Sequence, residues 1–207
     1  MMQPLDSFAV LYLREVSEIV RSVDAAAVDE LAYSLAEIRR QEGRLFILGV
    51  GGGAAHASHA VNDFRKLCDF EAYAPTDNVA EITARTNDDG WETSFEAWLR
   101  TSRLSSRDAI LIFSVGGGSR PHNVSVNLVR AVELAREVGA RIFGVVGRSD
   151  GATAEEADVC IVINARPDRR TPHVEEFQAI VWHLLVSHPA LATAPGKWES
   201  VEVSGVR

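Results

Sequence analysis

The sequence predicts an α/β fold: a three-layer, doubly wound, mostly parallel sheet of five strands, preceded by a pair of helices. Three observations carry this. From residue 45 onward, short apolar runs alternate with segments of helical periodicity. The runs are continuously apolar, as strands buried on both faces read. Two of them end in glycine clusters that lead into a helix: Leu45 to Gly53, then Ala54-Ala55-His56-Ala57, and Ile110 to Ser119, then Pro121 to Val138.

The elements follow in order. Residues 5–22 carry Phe8, Leu11, Leu13, Val16, Ile19 and Val20 at helical spacing, and residues 24–41 continue with Ala27, Val28, Leu31, Leu35 and Ile38. This predicts two helices hinged near Ser22-Val23-Asp24, with Asp24 as N-cap. The apolar stripe of the first helix either packs on its own domain or builds a subunit interface. Strands are then expected at 45–49, 71–75, 109–114, 141–146 and 159–163, and helices at 54–68, 78–85, 91–102, 122–138, 151–156 and 172–187. Gly139 is the expected C-cap of the helix ending at Val138. The last residues, Ala190 to Arg207, rich in Pro, Gly, Ser and Val, read as a loose or docked tail.

Composition narrows the function. A net charge of −8 argues against a general nucleic-acid or anionic-membrane binder, which needs a basic face. No apolar run approaches the ~20 residues that span a bilayer. The opening Met1-Met2-Gln3-Pro4-Leu5-Asp6 has no signal-peptide character. Cys68 and Cys160 stand apart and read as reduced thiols, so a cytoplasmic protein is expected.

The chemistry is expected at the carboxyl ends of the strands, where both glycine clusters fall. A glycine turn lets bare backbone approach a ligand, and the N–H groups of the following helix form an anion site. Two such turns suggest a cleft for a phosphorylated small molecule, with Gly51, Gly52, Gly53, Gly116 and Gly117 as backbone donors and Ser114 and Ser119 as hydroxyl donors. His59 and Asp63, four apart on one helix, share a face and can converge on an ion or substrate, or simply pair on the surface. Asn87-Asp88-Asp89-Gly90 reads as a turn whose carboxylates could accept substrate hydroxyls. Thr171 and Pro172 read as N-cap and first residue of the last helix, which carries Glu175 in its first turns. His183 lies among Ile180 to Val186, where a lone histidine is ordinarily a core residue. Arg166 to Arg170 is a polar loop that either holds a phosphate or is solvated.

With these residues in hand the chain resembles the SIS (sugar isomerase) domain superfamily, and within it the phosphoheptose isomerases, over nearly its whole length. The resemblance rests on Gly49-Val50-Gly51-Gly52, Thr86-Asn87-Asp88-Asp89-Gly90, Ser114-Val115-Gly116-Gly117-Gly118-Ser119 and the segment from Thr171 to His183. It implies an N-terminal helical pair for oligomerisation (1–43), a sugar-phosphate-binding domain (44–190) and a C-terminal tail (191–207). It implies a homotetramer with one zinc per subunit near subunit boundaries. The family's His, Glu, Gln and His ligands fall on His59, Asp63, Glu175 and His183, and its acid/base pair on Asp63 and His183. Glu175, Asn87, Asp88 and the two glycine turns would contact substrate.

The loops depart from the family pattern. Val115, Gly116 and Gly118 replace a Thr, a Ser and an Asn, Gly53 replaces a Ser, and the stretch Ser119-Arg120-Pro121-His122-Asn123 contains two inserted residues. The expected function is an aldose–ketose isomerase that interconverts sedoheptulose 7-phosphate and D-glycero-D-manno-heptose 7-phosphate. A non-catalytic sugar-phosphate sensor or adaptor of the same fold is the alternative.

Overall fold

The computed structural model describes residues 7–205, with side chains to residue 201. Five parallel strands, β1 (Leu45–Gly49), β2 (Ala72–Tyr73), β3 (Ala109–Ser114), β4 (Arg141–Val146) and β5 (Val159–Val162), lie in the order β2-β1-β3-β4-β5. Alternate side chains feed two cores, as strand geometry requires. Leu45, Ile47, Leu111, Phe113, Phe143 and Val145 face one layer. Phe46, Leu48, Ile110, Ile112 and Ile142 face the other.

The first layer holds α2 (Ala25–Arg40), α3 (Gly52–Cys68) and α8 (Arg170–Ser187), with one residue, Ile19, from α1 (Phe8–Ser22). The second holds α5 (Ser94–Thr101) and α6 (Val126–Val138), flanked by Ile82 of α4 (Val79–Asp89). The short helix α7 (Ala152–Glu156) precedes β5, and α9 (Lys197–Gly205) ends the description. β1 and β3 are neighbours whose chains leave toward opposite layers. Both glycine turns therefore sit at the point where strand order reverses, the place such sheets offer a ligand.

Several boundaries differ from the sequence reading, each for a local reason. Asp24 does cap α2, accepting from the Ala27 amide at 3.1 Å, and Gly139 caps α6 at φ +75°. The helix read as starting at 122 starts at 126, because Ser119 and Val124 pair as an antiparallel bridge and fold the inserted residues back. Asn87, Asp88 and Asp89 are not a turn. They form the last turn of α4, which Asn78 caps through the Glu81 amide at 3.2 Å and which ends at Gly90, φ +90°. Thr171 and Pro172 do not begin α8. A 3₁₀ turn over Pro167–Arg169 runs into the helix at Arg170, and Pro172 still falls in the first turn, where its missing N–H has no carbonyl to meet. Another 3₁₀ turn, Trp91–Thr93, replaces the start of the helix read at 91, and the second strand shrinks to two residues. The predicted start of α1 at residue 5 lies outside the described residues. Part of the tail is docked: Leu191 is buried, and the Thr193 amide bonds the Leu67 carbonyl at 2.8 Å.

α1 buries only Ile19 and leaves Phe8, Leu11, Leu13 and Val20 exposed. Polar groups hold it to α8. Arg169 grips Glu15 through two bonds of 2.7 and 2.6 Å. Buried His173 lies 3.1 Å from both Glu15 and Glu176, and Tyr12 donates to Glu176 while stacking on His173 at 4.4 Å. The Arg169 bonds, helped by His173, hold the Glu15 carboxyl down to about 2, and the bond to Glu176 with burial pushes the Tyr12 phenol up to about 12. A depressed carboxyl stabilises the docked helix above its ordinary range near 4.3, and that contribution fades as pH falls toward 2. A raised phenol stabilises below pH 10 and fades between 10 and 12. Hydrogen exchange over residues 8–22 is therefore expected to accelerate at both extremes. Glu15→Gln should raise exchange at pH 7 and flatten the acid limb; an unchanged acid limb would show that Glu15 is not its source.

Candidate active site

α3 starts where β1 ends, on the N-cap Gly51 with φ +60°, a backbone setting that favours glycine. The glycines of this turn divide by role. Added side chains at Gly49 and Gly53 would run into backbone, that of Gly53 and that of Phe113 on β3, so these two serve close packing. An added Cβ at Gly51 meets nothing within 4 Å. Gly53 spends its amide on the Val50 carbonyl at 3.1 Å, whereas the Gly51 and Gly52 amides bond no described residue. The carboxylate of Glu175, half-buried on α8, lies over Gly52, where an added Cβ would come within 2.6 Å of it. A protein carboxylate thus occupies the positive end of α3.

Eleven residues along α3 and eight along α8, a second group forms where the two helices run side by side in the same direction. His59, Asp63 and His183 each offer a ligand atom, all within 4.8 Å of one another. Asp63 Oδ2 lies 3.5 Å from His59 Nε2 and 3.7 Å from His183 Nε2, and the imidazoles meet edge to face at 5.5 Å. Asp63 is buried while both imidazoles are more than half exposed, at 57% and 54%, so the group opens to solvent on one side. His183 Nδ1 lies 2.8 Å from the Ala179 carbonyl, which can only accept. A proton on Nδ1 meets that carbonyl, which leaves Nε2 facing Asp63 and the open side, where it can hold an ion or pass a proton. Asp63 is held in turn by Asn62 Nδ2 on Oδ1 at 3.0 Å and Trp182 Nε1 on Oδ2 at 3.2 Å. His56 leans on Gln178 at 3.0 Å beside this group.

The SIS domain profile matches residues 11–147. The chain belongs to the SIS domain family. A phosphoheptose isomerase from Nitratidesulfovibrio vulgaris is 32% identical over 78% of this chain and 76% of its own length. A lincomycin biosynthesis protein, LmbN, from Streptomyces lincolnensis is 36% identical over 68% of the chain, which spans 54% of that longer protein. The solved phosphoheptose isomerase GmhA from Neisseria gonorrhoeae superposes with a TM-score of 0.74 over 86% of this chain and 94% of its own, at 22% identity.

Of the four positions that the family resemblance offers as ligands, this SIS protein brings His59, Asp63 and His183 together and leaves Glu175 outside that group, at Gly52. The reason is helix rise: Glu175 and His183 are eight residues apart, about 12 Å along α8. His183 is not a core residue, because α8 turns Val181, Trp182, Leu185 and Val186 inward and leaves Ile180, His183 and Leu184 outside. Asn87 and Asp88 are exposed on α4, where Asn87 donates to Asp88 at 2.8 Å.

In the second turn Ser114 Oγ accepts from the Gly117 amide at 3.0 Å. The Gly117 carbonyl takes the Thr153 amide and hydroxyl at 2.9 and 2.8 Å, which fixes the turn to α7. Nothing lies within 4 Å of an added Cβ at Gly116, while Gly118 packs against Val129. Gly116 and Ser119 line a cavity of about 850 Å³ whose other walls are the loop from Arg120 to Val124, α6, Arg148 to Gly151 and α7. Arg120 is paired with Glu133 there, and Arg166, in the loop that the sequence offered for a phosphate, with Asp168 at 3.1 Å. Burial pushes both cysteine thiols up to about 11, and neither takes part in the group. Among the described residues no helix is long and apolar enough to cross a membrane.

Sequence reasoning missed Trp182 and Asn62, the two donors on Asp63. Asn62 was findable as the polar neighbour of a ligand. Trp182 carried no signal, since it reads as one more apolar residue of a core helix.

Proposed function

We propose that this SIS protein is an aldose–ketose isomerase that interconverts sedoheptulose 7-phosphate and D-glycero-D-manno-heptose 7-phosphate. The observation that carries the reading is the open group of two imidazoles and one buried carboxylate between α3 and α8. The phosphoheptose isomerase relative, alike over most of both chains, supplies the reaction class. Two imidazoles and a carboxylate suit Zn²⁺, with a coordination position left for substrate. A bound divalent ion would polarise the carbonyl and the neighbouring hydroxyl oxygen.

The chain's own residues move the protons. One of Asp63 and His183 takes the proton from the hydroxyl-bearing carbon beside the carbonyl, giving an enediol. The other delivers a proton to the former carbonyl carbon while the proton of the old hydroxyl passes to the old carbonyl oxygen, and exchange with solvent returns both side chains to their starting protonation states. Asn62 and Trp182 keep the Asp63 carboxylate from rotating between these steps. The free amides of Gly51 and Gly52, with Gly116, Gly117, Ser114 and Ser119 of the second turn, hold the phosphorylated end, and Asn87 and Asp88 meet sugar hydroxyls. The uncovered apolar residues of α1, and Ile180 and Leu184 beside His183, support a homotetramer whose contacts run close to the site.

Incubation of the Zn²⁺-loaded protein with C5, C6 and C7 sugar phosphates should give fastest turnover on the C7 ketose; faster turnover of a shorter sugar would reassign the substrate. Glu175 supplies a sharper check. Its carboxylate faces the same end of α3 that would take a phosphate, so like charges repel there. Glu175→Gln is expected to lower KM for the sugar phosphate by about three- to tenfold, with bound metal unchanged. Loss of metal from that variant would instead make Glu175 a ligand.

A further inference from the structure

Trp182 touches every member of the site. Its side chain is 2% exposed, and its indole N–H donates to Asp63 Oδ2, the same oxygen that faces both imidazoles. Its ring lies 4.8 Å from that of His183 and 5.4 Å from that of His59, with His56 at 5.1 Å and Phe113 at 5.9 Å behind it. One buried side chain thus forms the wall against which all three ligand-capable groups rest.

The carboxylate it contacts is the short one. Asp63 stands where the resembling family carries a glutamate, so its oxygens reach about one C–C bond less far from α3. A carboxylate withdrawn by that distance keeps its orientation only if something fixes its torsion. Asn62, the neighbouring and exposed residue, holds Oδ1 from the solvent side. The remaining oxygen needs a donor from the buried side, and the indole N–H is the donor there. A buried indole N–H that lacked this acceptor would itself be costly, so the contact is fixed from both ends.

We propose that Trp182 is a positioning residue that sets the Asp63 carboxylate in the geometry used for metal binding and proton transfer. The inference rests on the metal-dependent isomerase reading for its activity arm, and on the three-donor group alone for its metal arm. It assigns Trp182 a polar role that its place in an apolar helix face conceals.

The test removes the N–H and keeps the ring. Trp182→Phe does so with some loss of volume; replacement of Trp182 by benzothienylalanine, an indole isostere with sulfur in place of N–H, does so at nearly constant shape. Zn²⁺ affinity is measured by competition with a chromophoric chelator, steady-state kinetics with sedoheptulose 7-phosphate, and thermal midpoint on the metal-free protein. Both variants should bind Zn²⁺ about tenfold more weakly or worse, as removal of a hydrogen bond to a ligand does. Both should lower kcat by a similar factor with KM within about twofold, and the isostere should keep the parent's thermal midpoint.

An isostere with the parent's Zn²⁺ affinity and kcat overturns the proposal, and makes any loss in Trp182→Phe a packing effect. Should Trp182→Phe fail to fold, the isostere decides alone. A parent that turns over no sugar phosphate contradicts the isomerase reading, while weaker Zn²⁺ binding in the isostere would still uphold the role of Trp182. A parent that neither binds Zn²⁺ nor acts on any sugar phosphate overturns both.

Discussion

Asp63→Asn is expected to lower turnover of the sugar phosphate by about a thousandfold, and His183→Gln to do the same, because in the proposed mechanism each removes one member of the proton-transferring pair. The side chains differ in what else they lose. Asp63→Asn keeps the shape but only one of the two incoming hydrogen bonds, from Asn62 or Trp182, because its amide nitrogen cannot accept, and it gives up the negative charge that two imidazoles face. Metal affinity should fall with it. His183→Gln keeps a polar group of similar reach on an exposed helix face, so stability should hardly move while turnover collapses. Steady-state kinetics beside thermal melting separates the two effects. Turnover within tenfold of the parent in either variant would remove that residue from the mechanism.

Gly49→Val is expected to cost about 3 to 5 kcal/mol of folding stability, the largest effect of any single substitution in the glycine turns. β1 ends at Gly49, and the chain doubles back at once into α3. An added Cβ at Gly49 falls inside the backbone of Gly53 and within 2.7 Å of the Ala54 nitrogen. Backbone cannot swing aside as a side chain can. The displacement would pass to Gly53, which already rests on the Phe113 carbonyl of β3. Gly51→Ala is the contrasting case: open space surrounds its Cβ, and only its backbone angles, φ +60° and ψ −122°, oppose it, so about 1 to 3 kcal/mol is expected. Urea denaturation of the two variants measures the difference. Equal costs would show that backbone conformation, and not close approach, is what these glycines serve.

That division was only half legible in the sequence. The layered fold was readable because continuously apolar runs such as 45–49 and 109–113 can be covered only from both faces, and the glycines marked the strand ends at the switch point. Which glycine meets ligand and which meets backbone depends on how closely α3 crosses β3, a distance no local pattern encodes. The polar run Asn87 to Asp89 read as a turn on propensity, yet Asn78 caps a helix early enough for that helix to absorb it before Gly90 ends it. At the site, His59 and Asp63 were findable from their four-residue spacing. His183 was recognisable only through family resemblance, since its apolar neighbours read as core; the helix turn that exposes it also buries Trp182. Trp182 and Asp63 lie 119 positions apart, and only the packing of α8 on α3 joins them. Glu175 was assigned to the metal group from the same resemblance, although its eight-residue separation from His183, about 12 Å of helix rise, already required the two to lean together from opposite ends.

The central claim is a metal-supported isomerisation at His59, Asp63 and His183. NMR of sedoheptulose 7-phosphate with chelator-stripped protein, before and after one equivalent of Zn²⁺ per chain, tests it most directly. No conversion is expected before addition, and aldose heptose 7-phosphate signals should grow after it. An unchanged ketose spectrum with the Zn²⁺-loaded protein, or equal conversion with and without the ion, would contradict it.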